Sequence, residues 1–143
     1  MKVSLCYKEY SFKINLKACK EFYDLTGLDL QTVFLSYICA SVDSQEMSIS
    51  HRLLHFSKLY SRDIACKALY CVIKQGEDGV SLEEIQDATF RVSWIPSERQ
   101  DDQSEPWPIV MLMAALEIND YFSKELGVKK SDTSEPSAKD QKK

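Results

Sequence analysis

The chain has 143 residues, 44% of them hydrophobic and 28% charged, the proportions of a folded globular domain and far from those of a disordered chain. Its formal net charge is −4, and no stretch gathers Lys and Arg onto one face, which argues against nucleic acid as the main partner. Four Gly and four Pro are too few for the frequent turns of a sandwich or barrel, so helices are favoured.

Length alone suggests one core. The opening Met1-Lys2-Val3-Ser4-Leu5-Cys6 lacks the apolar stretch of a signal peptide, and no run reaches the roughly 18 apolar residues of a membrane span. A cytoplasmic protein is therefore expected, with no membrane partner. Five cysteines (Cys6, Cys19, Cys39, Cys66, Cys71), odd in number and without C-x-x-C spacing, read as free thiols used in packing.

Residues 3–14 alternate: Val3, Leu5 and Tyr7, then Tyr10, Phe12 and Ile14, fall on one face. Period-two alternation predicts a small N-terminal β-hairpin over 3–14, turning at Tyr7-Lys8-Glu9-Tyr10. Asn15 is placed to cap a helix over 16–26, where Ala18, Cys19, Phe22 and Leu25 keep helical spacing before Gly27 stops it. Asp29 caps a second helix, whose Leu30, Val33, Phe34, Tyr37 and Ile38 make a core-facing stripe.

A polar loop over 43–48 precedes a third helix beginning near Ser50, marked by Ile49, Leu53, Phe56 and Tyr60. The apolar pattern continues through Ile64, Ala65, Ala68, Leu69 and Val72. Ser61-Arg62-Asp63 either caps a new helix or lies exposed on a long one, so residues 50–74 are one helix or two. Gly76-Glu77-Asp78-Gly79 is a loop, and Ser81-Leu82-Glu83-Glu84 is a capping box, with the Ser81 hydroxyl and the Glu84 carboxylate serving free amides reciprocally. A helix over 82–92 follows.

Residues 96–108 are polar and aperiodic, a long loop. Pro108 starts a final helix in which residues 109–116 are apolar on every side, the mark of a central buried helix, and which ends near Gly127. From 128 to 143 Val128 is the sole large apolar residue, too little to offset the entropy of ordering, so a disordered charged tail is expected. That tail is +2 and the remainder −6. The expected fold is mainly α: a helical domain of five to six helices over 1–127 with its hairpin, then the tail.

Catalytic chemistry finds little to stand on. His51 and His55, four apart, could face one metal ion, but no third ligand accompanies them, and Arg52 occupies the place of a metalloprotease glutamate. Glu98, Asp101, Asp102 and Glu105 lack the spacing of a calcium loop, and Gly76 and Gly79 flank acids that would repel phosphate. No enzyme, metal or cofactor is expected. Aromatic residues carry the remaining signal, because Trp and Tyr are common interface anchors. Trp94 and Trp107 bracket the polar loop and either meet a partner or clamp that loop to the body. Tyr37, Tyr60, Tyr70 and Tyr121, with Tyr23, Met111 and Met113, are further candidates for a partner-binding face; each has core packing as its alternative.

The opening order of elements is more telling. A hairpin beginning Val3-Ser4-Leu5-Cys6-Tyr7 and ending Phe12-Lys13-Ile14-Asn15 leads into Ala18-Cys19-Lys20-Glu21-Phe22-Tyr23-Asp24-Leu25-Thr26-Gly27 and then Leu28-Asp29-Leu30. It resembles the opening of tail assembly chaperones of long-tailed, non-contractile bacteriophages, where an extended pair precedes a helix ending in Phe-x-x-x-Thr-Gly. The Gln75-Gly76 loop, the Ser81-Leu82-Glu83-Glu84-Ile85 helix start and the charged end are similar to that family too. The resemblance implies a non-enzymatic protein of the host bacterial cytoplasm, absent from the mature virion. It would bind the tape measure protein and help tail tube subunits assemble around it. It also implies contact with tail tube protein through a longer frameshifted product, for which A-rich codons at Lys129-Lys130 or Lys142-Lys143 would serve. A helical adaptor or regulator with no chaperone role, able to self-associate as a homo-oligomer, is the other reading.

Overall fold

The computed structural model describes residues 1–6, 8–91 and 106–125. Trp94, the acidic residues at 98–105 and the expected tail (128–143) lie outside them. Two strands, β1 (Lys2–Leu5) and β2 (Lys8–Ser11), precede six helices: α1 (Leu16–Thr26), α2 (Leu30–Asp43), α3 (Ile49–Ser57), α4 (Arg62–Gly76), α5 (Leu82–Arg91) and α6 (Trp107–Glu125). The expected mainly helical fold with a small N-terminal hairpin is what the structure shows.

The antiparallel register pairs Lys2 with Ser11, Val3 with Tyr10, Ser4 with Glu9 and Leu5 with Lys8. Leu5 and Lys8 therefore end the ladder, so the chain turns earlier than the expected 7–10. Cys6 takes φ 53°, the left-handed value a two-residue connection demands, without the Gly or Asn that usually advertises it. Val3, Leu5, Tyr10, Phe12 and Ile14 are all buried, as alternation requires.

Caps set the helix starts. Asn15 Oδ1 accepts from Ala18 N at 2.8 Å and Asp29 Oδ2 from Thr32 N at 2.9 Å. Gly27 closes α1 at φ 76°. Ser61 Oγ accepts from Ile64 N at 3.2 Å, so residues 50–74 form two helices, α3 and α4. Ser81 Oγ accepts from Glu84 N at 3.0 Å, but the other half of the capping box is not made. The Glu84 carboxylate is drawn instead to the hairpin, accepting from Tyr10 Oη at 2.8 Å and Lys8 Nζ at 3.3 Å.

The centre of the molecule is α4, not α6. Ala65, Cys66, Ala68, Leu69, Cys71, Val72 and Ile73 are buried along α4, which packs against α1, α5, α6 and β2. The final helix leaves Met113 and Leu116 about half exposed, at 47% and 48%, and so is not buried all round. It lies between α2 on one flank and β1 on the other. Arg52 clamps the connection from α2 to α3, donating from Nη2 to Ser41 Oγ at 3.1 Å and from Nε to the buried Ser44 Oγ at 3.3 Å. Among the described residues no single helix is long and apolar enough to cross a membrane; α1 and α2 pass only as a pair, bent by 89°.

Candidate protein-binding surface

No charged residue occurs from Leu30 to Val42, so α2 is apolar on more than its core side. Leu30, Val33, Phe34, Tyr37 and Ala40 point into the core. Leu35, Ile38, Cys39 and Val42 recur at i, i+3, i+4 and i+7, a second stripe a quarter-turn or more away from the first. Leu35 is 56% and Val42 60% exposed, Cys39 is exposed, and Ile38 is half-buried.

Two clefts flank this stripe, and Leu35 borders both. Towards α6, Phe34, Ile38, Ala115, Ile118 and Phe122 line an apolar cleft of about 180 Å³. Towards α3, Ser36, Cys39, Asp43, His55 and Leu59 line a more open one of about 330 Å³. A ridge of aliphatic side chains between two grooves, with a single carboxylate at its end, is suited to burying the apolar face of another helix. Among the described residues no three of His, Cys, Asp or Glu come together as metal ligands. His51 Nδ1 lies 3.0 Å from Ser48 Oγ at the start of α3, while His55 sits on the cleft.

The aromatic candidates divide. Tyr37 and Trp107 belong to the core, 0% and 2% exposed, and no partner can reach them in this structure. The Tyr37 ring stands 6.4 Å from Phe56 and 6.2 Å from Tyr60; burial pushes its phenol well above the ordinary range, and its hydroxyl has no hydrogen-bond partner among the described residues. Tyr60 is half-buried, its Oη 3.1 Å from Ser36 Oγ, which places it beside the α3 cleft. Tyr121, 40% exposed, meets Phe122 edge-on at 5.5 Å but is not among the residues that line the α6 cleft. Tyr70 is half-buried on α4, with Lys74 Nζ 5.5 Å from its ring. Met111 is buried, whereas Tyr23 is 62% exposed.

The structure thus ties Tyr60, but not Tyr121, to the ridge on α2, and the residues of that ridge were not singled out by aromatic content. Their signal was available: thirteen consecutive residues without charge cannot all face one core. Ile38, grouped in sequence with the buried stripe, stands at its margin. Compared with known protein families, curated proteins and solved structures, the chain finds no match.

Proposed function

We propose that this protein is a non-catalytic chaperone of bacteriophage tail assembly, binding the tape measure protein and helping tail tube subunits assemble around it in the host cytoplasm. The observation that supports this reading is the uncharged outer stripe of α2, Leu35-Ile38-Cys39-Val42, set between two clefts. A long helical client exposes apolar stripes of the same spacing, which this ridge can cover through many weak contacts. The N-terminal order of hairpin, Phe-x-x-x-Thr-Gly helix and second helix supports it through resemblance. Contact with tube protein belongs to a longer frameshifted product in this scheme.

Co-expression with the tape measure protein tests the proposal. The client should stay soluble and co-purify with the chain. Leu35→Glu with Val42→Glu should break the complex while leaving stability within about 0.5 kcal/mol, because both side chains are largely exposed. Covering each exposed aliphatic group is worth about 1 kcal/mol, roughly fivefold in affinity before the added charge. A client that aggregates regardless, or a double variant that binds as well as the parent, would leave the helical adaptor as the better reading.

A further inference from the structure

The two flanks of the α2 ridge differ in charge, and the difference specifies what a partner helix carries beside its apolar stripe. None of the residues lining the α6 cleft is charged. On the α3 side no carboxylate occurs from Met47 to Arg62, a stretch that holds His51, Arg52, His55, Lys58 and Arg62. None of these five is paired with a carboxylate among the described residues, whereas Lys2, Lys8, Lys67, Lys74, Arg91 and Lys124 all are. His51, His55 and Lys58 recur at i, i+4 and i+7, one row along α3. His51 and Lys58 are exposed, and His55 lines the cleft.

Two contacts fix the register. Tyr60 Oη lies 3.1 Å from Ser36 Oγ, and Arg52 Nη2 donates to Ser41 Oγ at 3.1 Å, so α3 runs antiparallel to α2. Lys58 is therefore level with the middle of the ridge, near Cys39, and no carboxylate stands opposite it. Asp43, the one acid on this cleft, falls at the far end with Glu46 beyond it, level with Arg52, whose guanidinium offsets the charge there. We infer that the helix covering the α2 ridge is acidic along one flank only: its apolar stripe lies on Leu35 and Val42, an uncharged flank meets the α6 cleft, and carboxylates lie over the His51–His55–Lys58 row. This rests on the ridge being the client site. A carboxylate rolled towards the α6 cleft would exchange water for apolar side chains with no cation to compensate, and a lysine over α3 would meet Lys58. The charge pattern thus sets which way round the client helix lies.

Two fluorescein-labelled helical peptides are the probes, titrated into the full chain at low ionic strength and followed by anisotropy. They share a leucine stripe and a glutamine flank, and the other flank carries glutamate in one peptide and lysine in the other. The glutamate peptide should bind about fivefold tighter or more, the worth of one or two exposed ion pairs, although the net charge of −4 would by itself favour lysine. Lys58→Glu should abolish that preference. Lys17→Glu, the same change of charge on α1, which lines neither cleft, should keep it. Equal affinity for the two peptides, or a preference for lysine, would overturn the inference; were that binding still lost in Leu35→Glu, the ridge itself would stand. Binding by neither peptide, or binding that Leu35→Glu leaves intact, would remove the ridge and the inference together. So would a dimer in sedimentation velocity that Leu35→Glu converts to monomer, because the ridge would then belong to a second copy.

Discussion

Substituting Gly76 by Ala separates two meanings of one residue by the sign of its effect. As a plain helix stop, Gly76 could be replaced at a gain, because Ala is favoured over Gly in a helix by up to about 1 kcal/mol. The structure opposes that. Gly76 is the last residue of α4, and a methyl group there would stand 2.5 Å from the Ser11 carbonyl oxygen and 2.6 Å from Phe12 N and Cα. These are main-chain atoms of the hairpin. They are anchored by the bond from Phe12 N to Met1 and the bond from Lys13 N to Val72, and by Phe12, itself 1% exposed. Relief means pushing β2 off α4 by most of an ångström, and overpacking of that kind costs about 1–3 kcal/mol or more. Gly76→Ala is therefore expected to lose about 2–3 kcal/mol in urea unfolding, a fall of roughly 6–12 °C in Tm for a domain of this size. Gly27→Ala is the control: nothing lies within 4 Å of the added methyl, and only the left-handed φ opposes it, for about 1 kcal/mol. A neutral or stabilising Gly76→Ala would refute the close packing of α4 on the hairpin.

Three further outcomes concern single side chains. Tyr37→Phe should raise stability by about 1 kcal/mol in the same unfolding assay, since it removes a buried hydroxyl that has no partner among the described residues and keeps the ring; a loss of stability would mean that the hydroxyl is satisfied. Glu84 is held below the ordinary carboxylate range, first by the Tyr10 hydroxyl and then by Lys8. A depressed folded pKa contributes stability that is present above the unfolded value and is lost as pH falls through the folded one, so urea midpoints should drop as pH falls through and below the ordinary carboxylate range. Glu84→Gln should flatten that acid limb, and an unchanged limb would assign it elsewhere. Towards a thiol reagent, Cys39 should react quickly, being exposed, while Cys66 and Cys71 wait for unfolding: burial pushes their thiols up to about 11 and about 12. Rapid modification of all five would contradict the burial of α4.

Local rules reach their own limits here in a consistent way. Capping side chains bond amides three residues on, and a left-handed Gly needs no neighbour, so Asn15, Asp29 and Gly27 mark helix ends that the structure reproduces. Alternation in 3–14 likewise identifies the buried face of the hairpin. Its turn escaped because Cys6 adopts a positive φ that its residue type does not advertise. Whether residues 50–74 formed one helix or two hung on the Ser61 hydroxyl, which can cap or point to water with nearly equal ease until packing sets the bend.

The sequence by itself determined that this protein is mainly helical, where its helices other than α4 start, and that a hairpin with one apolar face precedes them, because those features depend on contacts within a few residues. Only the tertiary structure decided which apolar residues are covered. It made α4 the centre in place of α6, withdrew Tyr37 and Trp107 into the core, turned Glu84 from its own helix to Tyr10, and left Leu35, Cys39 and Val42 outside. A helix that is apolar on two sides can bury either, and the side left in solvent is set by which neighbours arrive. That choice rests on contacts between residues far apart in the chain, which no local pattern records.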